Sequence, residues 1–175
     1  MEIVALFAVA ALAGALVKLV DQIEDEFSGK IQYKYFFALI YGLMIGYLIS
    51  FSGFGSLWLA ALAAQLLSGK IDKKSHMFGF AVAIIFTFIF SSPFLQSLSV
   101  LDFIIFLAAA SLDELAVFSR FKRFKDYRPL LKITALVYGI FGRWDYFAGI
   151  MVFDISYYAV GRLFYRKSIS PKMQK

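Results

Sequence analysis

Apolar residues run through the chain in seven segments, separated by short stretches rich in charged residues, glycine, serine or proline. The segments cover about 3–20, 33–51, 56–67, 77–90, 98–118, 130–141 and 143–162. A mostly apolar run of ~20 residues is long enough to cross a bilayer as a helix. The pattern therefore predicts an all-α, polytopic transmembrane helix bundle of about seven spans, with six as the alternative count. Spans three and four, which are short, or spans six and seven are candidates for a re-entrant pair instead.

The composition agrees with a single membrane domain. Hydrophobic residues make up 61% of the 175 residues and charged residues only 17%, whereas soluble domains are about half apolar and a quarter charged. The apolar excess is spread along the whole chain, which excludes one terminal anchor on a soluble domain. We expect a transmembrane helical domain over residues 1–166 and a basic cytoplasmic tail over 167–175.

The positive charges alternate between successive connections. Of the 18 Lys and Arg residues, 17 fall on one side of a seven-span arrangement, and the turns at 52–55 and 91–97 contain none. Because positive loops remain in the cytoplasm, this predicts a multi-pass protein of the cell membrane with its N-terminus outside and its C-terminus in the cytoplasm. The net charge of +6 then reflects topology and anionic membrane lipids, and nucleic-acid binding is not expected.

Two residue types limit the possible chemistry. The chain has no cysteine and a single histidine, His76. Disulfides and thiolate metal sites are therefore excluded, as are multi-histidine metal centres and haem held by two histidines. We interpret His76 as an interfacial polar residue rather than as a metal ligand.

The first functional hypothesis rests on acidic residues near the predicted cytoplasmic side. Candidate catalytic residues are Asp21, Asp25, Asp72, Asp113 and Glu114. Asp21, Asp25 and Asp72 are the candidate ligands for Mg²⁺ or Mn²⁺, ions held by carboxylates together with substrate phosphates. Lys18 and Lys70 are candidate phosphate-binding residues. This arrangement predicts a metal-assisted enzyme that acts on a phosphate-bearing or isoprenoid lipid at the cytoplasmic leaflet. Alternatively, these acids only offset nearby lysines and cap helix ends.

The second hypothesis rests on two deeper acids, Asp102 and above all Asp154, which lies in the middle of the last apolar segment. Asp154 follows Asp145 by nine residues, which is ~13 Å along a helix and close to the midplane of a bilayer. A carboxylate at that depth must face protein or water, and such residues commonly serve proton- or cation-coupled carriers. We predict substrate binding by Asp154, Arg143 and Tyr158, with Arg143 as a partner of Asp154. Alternatively, Asp154 is protonated or bonded to tyrosine and only holds helices together.

Small residues raise the question of partners besides membrane lipids. Gly42 and Gly46 are separated by three residues, a spacing that lets a second helix approach closely. Contact inside the bundle is one interpretation and a homo-oligomer is the other. Ala11 and Ala15 have the same spacing in the first segment, and would provide a docking surface if the chain were a subunit of a larger transporter.

Overall fold

The fold is that of a computed structural model of the chain, which describes residues 3–26, 31–69, 71–114 and 128–169. All regular structure in this part of the chain is helical, which confirms the all-α part of the predicted fold class. The helices are α1 (Ile3–Glu26), α2 (Ile31–Phe51), α3 (Gly55–Leu67), α4 (Lys74–Ile89), α5 (Ser91–Ser97), α6 (Val100–Glu114), α7 (Pro129–Ile140) and α8 (Trp144–Ile169).

Three of these helices are long and apolar enough to cross a membrane. Their apolar stretches are Ile3–Asp25, Gln32–Phe51 and Trp144–Phe164. Helices α3, α4 and α7 are also apolar but have 12 to 16 residues. The helical membrane character of the chain is thus supported, whereas the number of spans and their orientation stay predictions.

The helices pack mainly as α1 against α8 and α2, α2 against α4, and α3 against α6. Glycines allow the close contact of α2 with α4. A Cβ atom at Gly42 would lie 2.5 Å from the carbonyl oxygen of Gly79, and one at Gly46 would lie 2.8 Å from that of Ala83. Such distances are below van der Waals contact, so this glycine pair serves packing inside the bundle.

The helix ends separate into two groups. At one end, Lys34 Nζ at the start of α2 donates to Glu24 of α1 at 3.0 Å, and Ser75 of α4 donates to the same carboxylate. At the other end, Arg143 before α8 donates to the carbonyl oxygen of Gly53 at 2.7 Å. We call these the basic end and the opposite end, because Lys18, Lys34 and Lys74 lie at the first.

Two elements differ from the sequence prediction. Residues 91–97, predicted as a turn, form the short helix α5, in which Pro93 lies in the first turn, where no backbone donor is required of it. Helix α8 continues beyond the predicted end at 162 to Ile169, into the predicted tail. The remaining residues 170–175 of that tail lie outside the described part of the chain.

Candidate functional site

A cavity of about 640 Å³ lies among α1, α2, α3, α4 and α8. Its wall changes character along α8, from Arg162 near the basic end to Ile150, twelve residues or ~18 Å deeper. The polar half is lined by Lys18, Asp21, Tyr41, Gln65, His76, Arg128, Tyr157, Tyr158 and Arg162, and the apolar half by Ile45, Trp58, Phe80, Ala83, Ile150 and Phe153. The gradient is what an amphipathic ligand requires, with a polar group at one end and hydrocarbon at the other.

Asp21 is the centre of a hydrogen-bond network in the polar half. One of its oxygens lies 2.9 Å from His76 Nε2, and the other accepts a hydrogen bond from the Tyr157 hydroxyl at 2.6 Å. His76 Nδ1 is 3.1 Å from the Tyr41 hydroxyl. With the proton of a neutral His76 on Nε2, the imidazole donates to Asp21 and accepts from Tyr41. The network therefore joins α1, α2, α4 and α8 around one carboxylate.

Asp154 lines the cavity about one helical turn deeper than Tyr158. Its Oδ2 lies 2.7 Å from Lys132 Nζ of α7, and the residue is 7% exposed. The partner of Asp154 is thus Lys132, and the prediction that Arg143 pairs with it is wrong. The buried carboxylate and the partly buried ammonium offset each other, so that Asp154 does not remain as an isolated charge in the bundle.

Lys18, Arg128 and Arg162 add positive charge to the polar half. Arg128 precedes α7 in the left-handed backbone region, with φ of 46°, and its Nε lies 3.5 Å from the buried carboxylate of Glu114. Lys18 Nζ lies 3.8 Å from Asp21 and 4.9 Å from the centre of the Tyr157 ring. The cavity thus combines three cations with the two carboxylates of Asp21 and Asp154.

Asp113 and Glu114 lie at the end of α6 and do not line the cavity. Both are buried. Asp113 accepts hydrogen bonds from the backbone N–H groups of Leu130 at 3.0 Å and Leu131 at 2.8 Å, and so caps the first turn of α7. For Asp113 the structure thus agrees with the alternative interpretation, in which the acid caps a helix end.

The predicted metal ligands do not meet. Asp25 and Asp72 are exposed, and Asp21 has the partners given above. Within the described residues, no three histidine or acidic side chains lie close enough together to hold a metal ion. Lys70, a predicted phosphate-binding residue, lies outside the described part of the chain.

Arg143 lies at the opposite end, away from the cavity. Its Nε and Nη2 atoms are 3.2 and 3.1 Å from the two Asp145 carboxylate oxygens, and its guanidinium stacks over the Tyr146 ring at 4.5 Å. Burial disfavours the charge of Arg143, but the hydrogen bond to Asp145 and the further interactions with Asp145 and Tyr146 together outweigh it and raise the pKa of the guanidinium. Arg143 therefore remains charged and anchors the turn at Gly53 to the start of α8.

A second aspartate network lies near the opposite end. The hydroxyl groups of Tyr138 and Tyr146 donate to the two oxygens of Asp102, at 2.8 and 2.6 Å. The ring of Phe106 lies 5.0 Å from that of Tyr138 and 4.8 Å from that of Tyr146, measured between ring centres. None of these residues lines the cavity, so this network lies outside it, and the rings of Phe106, Tyr138 and Tyr146 pack together beside the Asp102 carboxylate.

Several cavity residues were not predicted as site residues. Tyr41, Trp58 with Gln65, Arg128 and Arg162 come from four different parts of the chain, and no local spacing marks them. The pairing of Lys132 with Asp154 likewise joins two helices. Of the missed contacts, only that of His76 could have been predicted from the sequence, because a histidine close to an acidic helix end can pair with an acidic residue there. The predicted site residues that do line the cavity are Lys18, Asp21, Asp154 and Tyr158.

The described residues form a helical bundle, with three helices long and apolar enough to span a membrane, around an amphipathic cavity. Comparison of the chain with known protein families, with curated proteins and with solved structures finds no match. The side chains of the cavity are therefore the basis on which a function can be proposed.

Proposed function

We propose that this chain is an integral protein of the cell membrane that binds a phosphate-bearing lipid in the cavity and acts on it as an enzyme. The proposal includes the seven-span topology predicted from the sequence, with the N-terminus outside and the C-terminus in the cytoplasm. In that orientation the basic end faces the cytoplasm, and the polar half of the cavity lies at the level of the inner leaflet headgroups.

The observation that carries the proposal is the change of the cavity wall from polar to apolar over ~18 Å of α8, between Arg162 and Ile150. Phosphate groups bind guanidinium and ammonium groups through charge-assisted hydrogen bonds. Lys18, Arg128 and Arg162 supply these groups in the polar half. Ile45, Trp58 and Phe153 line the part of the cavity that would take the hydrocarbon.

The reaction proposed is a transfer or hydrolysis at the lipid phosphate. The cations stabilise negative charge that develops on the phosphate oxygens. The pair of Asp21 and His76, 2.9 Å apart, is the group in the cavity best suited to transfer a proton. A Mg²⁺ or Mn²⁺ ion would enter with the substrate phosphate, which supplies ligands that the protein side chains do not.

The test is native mass spectrometry of the protein purified in a thin bilayer mimic, with and without Mg²⁺ or Mn²⁺. We expect a phosphate-bearing lipid to be retained by the wild type and largely lost from Lys18→Ala and Arg128→Ala. Lys74→Ala is the matched control, because Lys74 is exposed at the start of α4 and does not line the cavity. Equal retention by all four proteins would contradict the proposal.

A small-solute or ion carrier is the second candidate, and the ion pair of Asp154 with Lys132 favours it. A carboxylate in the cavity wall, midway along a helix that can span the membrane, is a common feature of coupled transport. Reconstitution in liposomes separates the two functions. Chemical change of the phospholipid without a pH or ion gradient supports the enzyme, whereas gradient-driven uptake without lipid turnover supports the carrier.

A further inference from the structure

We propose that the cavity recognises a single-chain phospholipid that carries a free hydroxyl group between its phosphate and its hydrocarbon chain, as in a 1-acyl-glycerol 3-phosphate. The inference rests on the proposed function, since it names the class of lipid that the same cavity would take. Asp154 would accept a hydrogen bond from that hydroxyl.

Asp154 lacks hydrogen bonds that other buried or half-buried aspartates have. Asp21, Asp102 and Asp113 each receive a hydrogen bond on both carboxylate oxygens. In Asp154, Oδ2 is buried and lies 2.7 Å from Lys132 Nζ, whereas Oδ1 receives no hydrogen bond from the described residues. Buried carboxylates normally accept several donors. A ligand hydroxyl would complete this site, because Asp154 lines the cavity.

The side chains that α8 contributes to the cavity wall change in chemical character in a definite order. Arg162 and Tyr158 lie in the polar half, Asp154 follows one turn or ~6 Å below Tyr158, and Phe153 and Ile150 begin the apolar half. A ligand aligned with this wall therefore presents an anion first, then a hydrogen-bond donor, and then hydrocarbon. A phosphate followed by a hydroxyl-bearing carbon and one chain has this order, whereas an alkyl or isoprenyl phosphate has no donor in the middle.

The net charge of the cavity lining favours a hydroxyl over an ammonium as the donor to Asp154. Lys132 already neutralises Asp154. The remaining lining charges are the cations Lys18, Arg128 and Arg162 against the single carboxylate of Asp21. An additional ammonium group would increase the positive excess, whereas a neutral hydroxyl leaves the phosphate free to offset it.

The experiment is competitive binding measured by native mass spectrometry of the full chain in detergent micelles. Three probes share a phosphate and one C16 chain, namely 1-palmitoyl-glycerol 3-phosphate, its methyl ether at the free hydroxyl, and hexadecyl phosphate. We expect the wild type to bind the first probe about tenfold more tightly than either of the others, as one hydrogen bond to a charged group implies. Glycerol 3-phosphate without a chain is expected not to compete.

The matched variants are Asp154→Asn and Asp145→Asn, which remove the same charge inside and outside the cavity. Asp154→Asn should reduce the preference for the free hydroxyl at least threefold, because a neutral acceptor forms a weaker hydrogen bond. Asp145→Asn should leave the preference unchanged. If Asp154→Asn does not fold, the comparison of the free hydroxyl with its methyl ether in the wild type decides the question.

The outcomes separate this inference from the proposed function. Equal binding of all three single-chain probes by the wild type would overturn the inference and leave phosphate-lipid binding intact. A hydroxyl preference that persists unchanged in Asp154→Asn would also overturn it. Binding of glycerol 3-phosphate as tight as that of the lipid would overturn the single-chain lipid assignment. Failure of every probe to bind would overturn the proposed function itself.

Discussion

The networks around Asp21 and Asp102 are built alike but have different surroundings. Each aspartate receives hydrogen bonds on both oxygens from side chains of other helices, and each includes a tyrosine of α8 at 2.6 Å. Asp102 lies outside the cavity, beside the packed rings of Phe106 and the two tyrosines, whereas Asp21 faces a cavity that also contains Lys18 and Arg128. Access to a cavity, rather than a buried carboxylate as such, therefore distinguishes a candidate functional site from a structural contact.

The largest expected effect is on the Asp102 network. Asp102→Ala leaves the hydroxyl groups of Tyr138 and Tyr146 without their acceptor, so we expect a loss of about 3 kcal/mol in the free energy of unfolding. Denaturant unfolding in mixed micelles would measure it. Lipid retention per folded molecule should remain unchanged, because Asp102 is remote from the cavity wall. A loss below about 1 kcal/mol would show that the Asp102 network contributes little to stability.

An intermediate effect is expected where packing supports the Asp21 network. In Gly79→Ala, the new Cβ would collide with the ring of Tyr41, whose hydroxyl lies 3.1 Å from His76 Nδ1. We expect a loss of about 2 kcal/mol in stability together with weaker lipid retention, measured by unfolding and native mass spectrometry. Gly53→Ala is the control, since a Cβ there meets its nearest neighbour at 3.9 Å. If Gly79→Ala retained lipid normally, the contact of Tyr41 with His76 would not contribute to lipid binding.

The smallest effects are expected when a tyrosine is replaced by phenylalanine in each of the two networks. Tyr146→Phe leaves an oxygen of Asp102 without a donor in a buried site, and we expect a loss of about 1.5 kcal/mol in stability. Tyr157→Phe exposes an oxygen of Asp21 to the cavity, where water can replace the lost donor, so the loss should be only about 0.5 kcal/mol. Thermal unfolding of both variants under identical conditions provides the measurement. Equal losses would mean that the two networks do not differ in access to water.

The sequence supported a correct prediction of the helical fold, and four of its candidate site residues line the cavity. The apolar segments correspond to helices because segment length and polarity are local properties, as in α2 and α8. Lys18, Asp21, Asp154 and Tyr158 were candidates because charged and polar residues in apolar surroundings need a partner or a function. Two separate hypotheses were drawn from Asp21 and Asp154, yet the structure places both residues in the wall of one cavity.

Partner choice, in contrast, was decided by tertiary structure. Asp154 pairs with Lys132 rather than with Arg143, although Arg143 lies eleven residues before it and nearly on the same face of a continuous helix. Eleven residues of helix span ~16 Å, too far for an ion pair, and a partner on another helix is found only when the helices pack. Likewise, Asp113 caps α7 and does not join Asp21. The sequence by itself thus determined which residues had to be buried and paired, because apolar runs and charges carry that information locally. Only the packing of α1, α4, α7 and α8 decided which pairs formed and which of them border the cavity.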